Sequence, residues 1–179
     1  MNSQPLARLH GLVWTALLAA AVAAAAWISL PIGPVPVSLQ PLFVFLAGFV
    51  LGPRQGALCV GLYVLAGALG LPVFAGGRAG LGHVLGPTGG YLFGFILSAA
   101  ACGLATGGKG GPLPWLKAAG FGALALVAAY GPGVLWLRHS LGTDWPKTLA
   151  VGLVPFLPWD CLKIAAAAAC YRLLSRCRL

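Results

Sequence analysis

Residues 76–91 read Gly-Gly-Arg-Ala-Gly-Leu-Gly-His-Val-Leu-Gly-Pro-Thr-Gly-Gly-Tyr, a glycine-rich, nearly uncharged loop between two long apolar runs. Lipid cannot hydrogen-bond bare backbone N–H and C=O groups. Irregular backbone at membrane depth is therefore tolerated only where protein buries it or where it lines a cavity. The stretch points to a chain that folds within a bilayer around a cavity. Composition agrees: hydrophobic residues make up 60% of the 179 residues and charged residues 7%, against about 25% charged residues in a soluble domain. At roughly 20 apolar residues per crossing, the length accommodates five or six helices with short loops and leaves nothing for an ATPase or a receptor module. The expectation is an all-α integral membrane protein, one membrane domain over residues 1–179 built as a bundle of six transmembrane helices.

The spans are expected at about 11–30, 37–53, 55–74, 87–106, 116–137 and 148–174. Pro41 suits the first turn of the second span, Pro53-Arg54 separates it from the third, and Gly70-Leu71-Pro72 weakens the third span's end. Lys109 to Pro112 and His139 to Lys147 supply the remaining breaks. With the N-terminus inside, the inner side collects Arg8, Arg54, Lys109, Lys117, Arg172, Arg176 and Arg178. The outer side collects Arg78, Arg138 and Lys147, and Lys163 falls within the last span. Positive charge favours the cytoplasm, so both termini are expected there and the 76–86 loop outside. A competing reading takes Arg8, the apolar run from Gly11 and the alanines to Ala26 as a cleavable secretory signal; the run's continuation through Trp27 and Leu30 argues against it.

A net charge of +9 would in a soluble protein raise the question of nucleic acid. Here the basic residues are scattered, without a stripe or a nucleic-acid module, and serve topology; membrane lipid is the expected surrounding. Cys59, Cys102, Cys161, Cys170 and Cys177 include no C-x-x-C pair and read as small buried hydrophobes. No metal and no cofactor are expected.

Two acidic residues stand in the whole chain, Asp144 and Asp160. Asp144 lies in a polar loop. Asp160 follows Pro155-Phe-Leu-Pro-Trp159 and precedes Lys163 by three positions, so on a helix the two project from one face. An ionisable group in a membrane span costs about 3 kcal/mol or more and marks a functional site by default. The pair either neutralises itself and pins the helix, or meets a polar ligand. A carboxylate accepts from N–H donors and an ammonium donates to a carbonyl, which together match a urea or an amide. Arg78 suits either a ligand carboxylate or lipid headgroups. His83, without a nearby His, Cys or carboxylate, makes a poor metal site. Thr88 can cap the helix that follows, the glycines permit close approach, and Tyr91 reads either as a site residue or as an interfacial anchor. Ala16, Ala20 and Ala24 recur at four-residue spacing, a face that lets another helix approach closely.

Five stretches, Ile32–Gln40 (IGPVPVSLQ), Leu51–Gly56 (LGPRQG), Gly70–Gly77 (GLPVFAGG), Gly86–Tyr91 (GPTGGY) and Pro155–Lys163 (PFLPWDCLK), together resemble the BioY family. These are the biotin-specific substrate-binding (S) components of energy-coupling-factor (ECF) transporters. The stretches fall in the family's order and span residues 32–163. The resemblance implies a six-helix protein of the prokaryotic cell membrane, with biotin as transported substrate and a site near the outer face. It implies that Asp160 and Lys163 address the ureido ring and that the thiophane ring and valerate chain lie against Phe74 and Tyr91. It places Gly76, Gly77 and Thr88 in the same site and makes Arg78 the candidate for the carboxylate. It implies a transmembrane coupling (T) protein docking on Ala16, Ala20 and Ala24, and paired ATPases supplying the energy; the chain itself has no G-x-x-x-x-G-K-[ST] loop. Two departures stand out. Ala75-Gly76-Gly77 lacks an asparagine found in some members, and Trp159 replaces a small residue in a way that would narrow the pocket.

An intramembrane hydrolase or acyltransferase would need a nucleophile beside a base, and no G-x-S-x-G elbow occurs. A channel would need a lined path, for which ionisable residues are scarce. The chain is not expected to be an enzyme.

Overall fold

The computed structural model describes residues 4–30, 34–108 and 110–176, with the side chains of residues 4–8 and 10 excepted. Ile32, Gly33, Lys109, Cys177, Arg178 and the side chain of Arg8, all used in the sequence reading, lie outside these described residues. Helix α1 runs Gln4–Trp27 and is followed by a short antiparallel hairpin, β1 (Ser29–Leu30) with β2 (Val37–Ser38), in which Ser29 opposes Ser38 and Leu30 opposes Val37. Helix α2 spans Gln40–Ala68, a single turn of 3-10 helix covers Ala75–Gly77, and α3 is the four-residue Leu81–Val84. Then come α4 (Gly89–Thr106), α5 (Trp115–Leu141), α6 (Trp145–Gly152) and α7 (Leu157–Arg176).

Helix α2 is two helices in one. Gly52 takes φ 80° and ψ −179°, a conformation reserved almost wholly for glycine. The chain reverses there: a Cβ on Gly56 would stand 3.0 Å from the Gly48 Cα and 3.2 Å from the Ala47 carbonyl, although the residues are eight apart. Pro53 then opens the second arm, where its missing N–H costs nothing. The pivot is thus Gly52, one residue ahead of the expected Pro53-Arg54 break. Counting the two arms separately, and α6 with α7 as one broken rod, the molecule has a six-helix arrangement. Four stretches among the described residues are long and apolar enough to cross a membrane: Gln40–Ala68, Gly89–Thr106, Trp115–Leu141 and Trp145–Arg176. Gly11–Trp27 is a shorter apolar segment.

Other boundaries also shift. The first helix stops at Trp27 rather than at residue 30, because the chain turns there into the hairpin. The second arm of α2 ends at Ala68, not at 74, leaving 69–74 as irregular backbone ahead of the glycine loop. The last span, expected as one helix over 148–174, is broken between Gly152 and Leu157. Pro155 and Pro158 explain this, since a proline removes a backbone donor and clashes with the preceding turn.

Helix α4 is the centre of the packing, with α2 on one side and α5 on the other. Small residues make this possible: Gly48 of α2 lies directly against the Ala99 carbonyl of α4, and Gly94 of α4 against Ala129 of α5. In a bilayer such close contact, with interhelical hydrogen bonds, replaces the hydrophobic drive. Ser98 donates to the Ala125 carbonyl at 2.6 Å, and Thr106 to the Phe49 carbonyl at 2.7 Å. At one end of the bundle the Gly52 bend meets Gly108, while Tyr171 and Arg172 of α7 donate to the Gly111 and Leu113 carbonyls. At the other end Trp27 donates to the Pro72 carbonyl and Trp136 to that of Gly86.

Substituting Gly52 by alanine forces a Cβ into the Gly108 backbone, 2.8 Å from its nitrogen, on top of a φ that disfavours any side chain. The expected outcome is a loss of about 1–3 kcal/mol or more, read as a lowered melting temperature in detergent. Gly61→Ala, which meets open space, should leave the melting temperature unchanged.

Candidate functional site

The break between α6 and α7 sets the site. By restarting the helix at Leu157, it places Asp160 in the first turn of α7, where the helix's partial positive charge favours a carboxylate. Asp160 is buried, with 6% of its surface exposed. Its two oxygens are taken separately: Lys163 Nζ donates to Oδ1 at 2.6 Å, and the Tyr130 hydroxyl, from α5, donates to Oδ2 at 2.6 Å. The lysine is nearly as buried, so the pair is screened little by water. Each oxygen of a carboxylate has two acceptor positions; this geometry leaves one on each oxygen for a further N–H donor, and two ammonium protons on Lys163 for an acceptor.

The pair faces a cleft of two adjoining compartments, each of about 50 Å³. Val35, Pro36, Ser38, Tyr91 and Phe95 wall both. The first compartment ends at Tyr130, Asp160 and Lys163. The second ends at Gln40, His83 and Thr88. Tyr91 forms the waist. Its hydroxyl donates to the Gly152 carbonyl at 2.7 Å, and its ring meets Tyr130 edge-on with centroids 6.3 Å apart. Only glycines at 133 and 152 leave room for that ring. In the second compartment Gln40 donates to the Tyr63 hydroxyl at 2.9 Å. The His83 ring stacks on Phe74 at 4.9 Å, with Nε2 3.5 Å from the Thr88 hydroxyl oxygen. Burial holds the His83 imidazole below its usual range, and the positive charge of Arg78 acts in the same direction.

A third, open cavity of about 560 Å³ lies outside the first compartment, between the hairpin and the start of α7. It is lined by Trp27, Leu30, Pro155, Trp159 and Lys163 among others. Lys163 borders both spaces. Trp159 is 58% exposed and belongs to this outer cavity, so it does not narrow the inner compartment as its sequence position suggested.

Of the residues the sequence singled out, Asp160, Lys163, Tyr91 and Thr88 come together on the cleft. Phe74 does not line it. It is fully buried behind the wall, edge-on to Tyr63 at 5.7 Å and pressed against Gly67, so it supports His83 and would touch no occupant of the cleft as it stands. Gly76 and Gly77 form the turn behind it, with Gly77 beside the Trp27 ring, and Arg78 is exposed and pairs in backbone with Phe74. Neither glycine nor Arg78 lines the two compartments. Tyr130 and Gln40 were not anticipated; their signal was a lone hydrogen-bonding side chain within an apolar run. Ala16, Ala20 and Ala24 lie exposed on the outer face of α1, while Thr15, Leu18, Val22 and Ala25 pack inward.

Comparison with known proteins shows the family. The model of the BioY family matches residues 1–178. Proteins named biotin transporter BioY are similar along most of their length. That of Thermotoga maritima is 45% identical, covering 89% of this chain and 92% of its own, and that of Rhodobacter capsulatus is 38% identical, covering 90% and 91%. The crystal structure of the S-component for biotin from an ECF-type ABC transporter superposes with a TM-score of 0.87. It is 27% identical and covers 98% of this chain and 94% of that one. With the family match running from end to end, this chain belongs to the BioY family.

Proposed function

We propose that the chain is the biotin-binding S component of an ECF-type uptake system, and not an enzyme. The observation that carries this reading is the buried Asp160–Lys163 pair at the end of an aromatic-walled cleft. A ureido ring offers two N–H donors and one carbonyl acceptor. The free acceptor positions on Asp160 take the N–H groups and the Lys163 ammonium takes the carbonyl. Tyr91, Phe95 and Phe156 supply the apolar wall for the rest of the ring system. Compartments of about 50 Å³ fall well below the roughly 300 Å³ at which small-molecule pockets begin. Binding therefore requires Val35, Pro36 and Ser38 to move outward with the hairpin, and the outer cavity beside Lys163 is the natural approach.

In the membrane the chain crosses six times with both termini in the cytoplasm. Arg54, Lys117, Arg172 and Arg176 sit at the end of the bundle formed by the Gly52 bend, and Arg78, Arg138 and Lys147 at the end that holds the cleft. That asymmetry follows the positive-inside rule and opens the cleft outward. Arg172 over Trp115 at 4.8 Å and Arg138 over Trp145 at 4.5 Å are interfacial anchors at the two ends. Energy comes from partners, a T protein and paired ATPases, with Ala16, Ala20 and Ala24 as the docking face for the T protein.

Equilibrium binding to the detergent-purified protein tests the reading. Biotin should bind tightly, and Asp160→Asn should weaken it at least ~30-fold, the equivalent of about 2 kcal/mol for stranding a buried charge partner. No binding by folded parent protein would refute it. Tyr130→Phe should weaken biotin about 3–10-fold, the worth of one hydrogen bond, yet add almost nothing in the Asp160→Asn background, because the hydroxyl acts through that carboxylate. Equal effects in both backgrounds would reduce Tyr130 to a packing residue. Ala20→Trp should leave biotin binding intact and lower cellular uptake roughly tenfold or more by blocking close helix approach; unchanged uptake would remove this face from the partner interface.

A further inference from the structure

We infer that the compartment holding His83 and Thr88 receives the carboxylate end of the ligand, and that His83 gains a proton as it does so, making uptake of an anionic ligand sensitive to external pH. The inference rests on the biotin-binding reading and adds to it the fixed direction of the ligand and a regulatory group. Four observations carry it.

The two compartments share Tyr91 and Phe95 as walls, so a molecule anchored at Asp160 and Lys163 extends toward His83. Asp160 itself repels a second carboxylate, which drives the anionic end away from the first compartment. Lining the far end are the Thr88 hydroxyl, the Gln40 amide and the His83 imidazole, with no acidic side chain. Arg78, the obvious cation in the sequence, is exposed and lines neither compartment. That leaves His83 as the basic side chain lining that pole. Its ring plane is fixed by stacking on Phe74, and its 3.5 Å contact with Thr88 is at the outer limit of a hydrogen bond, so a better partner displaces it readily.

Without ligand, burial and the nearby Arg78 charge both favour neutral imidazole. A carboxylate arriving beside the ring offsets both and favours the imidazolium. Binding then takes up a proton where the pH lies between the His83 pKa of the free protein and the higher value in the complex, and over that window affinity rises as pH falls, by up to about tenfold per pH unit. The other groups around His83 do not confuse the reading. The charged and ionisable side chains near it are Arg78 from the preceding loop, Tyr63 of α2 behind Phe74, and Tyr91 of α4, and arginine and tyrosine are side-chain types that ordinarily titrate well outside the range between pH 5.5 and 8.5; Gln40, Ser38 and Thr88 do not ionise. Asp160 and Lys163 lie at the other pole and act alike on any ligand that keeps the ureido ring.

The experiment compares biotin with its uncharged primary amide, binding each to the detergent-purified full chain between pH 5.5 and 8.5. The expected result is a biotin-to-amide affinity ratio at least ~10-fold larger at pH 5.5 than at pH 8.5. The ratio should lose its pH dependence in His83→Gln. Calorimetry of the parent in buffers of different ionisation enthalpy gives an independent reading that needs no variant: proton uptake with biotin and none with the amide. A ratio independent of pH, a slope surviving in His83→Gln, or equal proton uptake by both ligands would overturn the inference while leaving biotin binding intact. Failure of folded parent to bind either ligand would overturn both this inference and the reading beneath it.

Discussion

Everything in this fold is arranged around one ion pair placed where ions are expensive. A charged side chain in a membrane span costs about 3 kcal/mol or more, and a buried charge without its partner costs about 3–5 kcal/mol. The chain keeps its only buried acid by three means at once: Lys163 on one oxygen, Tyr130 on the other, and the start of α7 beneath it. Each demands something of the architecture. The helix start requires the Pro155–Pro158 break, the tyrosine requires α5 to lie beside α7, and the cleft above requires the hairpin to close over it. An apolar pair would be less costly for stability, so retention of the ions fits recognition of a ligand with donors and acceptors side by side.

The glycines serve the same end by a different route. Around the cleft, helices and rings meet at contacts a methyl group would block: Gly94 on Ala129, Gly133 and Gly152 on Tyr91, Gly67 on Phe74. Close approach fixes the aromatic walls to the degree that hydrogen bonds fix the polar pole. Tyr91 is held by both, its hydroxyl bonded to Gly152 and its ring seated on Gly133. The hairpin, in contrast, is a two-pair ladder with Leu30 exposed. Its small contact area makes it the element able to move at low cost, as the proposed binding requires.

Much of this was legible in the sequence for a physical reason. Asp160 announces itself because acids are excluded from lipid, and Lys163 follows from helical spacing. The glycine loop reads as cavity-lining, and its middle and far end, at His83, Thr88 and Tyr91, do line the second compartment, together with Ala75 just ahead of it. Its beginning does not: Gly76, Gly77 and Arg78 turn outward, because the 3-10 turn at 75–77 reverses the chain before it re-enters. Tyr130 and Gln40 escaped notice because a single neutral polar residue in an apolar run looks like any other interfacial tyrosine or amide. Phe74 was placed on the cleft but lies behind it, since the slot opposite Gly67 is visible only in three dimensions. The split of the last span was foreshadowed by its two prolines, and the short hairpin by nothing stronger than a proline-rich linker.

The central claim is that the buried pair at Asp160 and Lys163 grips the ureido group. Isotope-edited infrared spectroscopy of biotin carrying a ¹³C-labelled ureido carbonyl reads that contact directly. On binding to the parent protein, the labelled carbonyl stretch should move to lower frequency, as donation from an ammonium weakens the C=O bond, and the shift should vanish in any Lys163→Met protein that still binds. A bound ligand whose ureido carbonyl keeps its aqueous frequency, or whose shift survives loss of the ammonium, would place the ureido ring elsewhere and contradict the account.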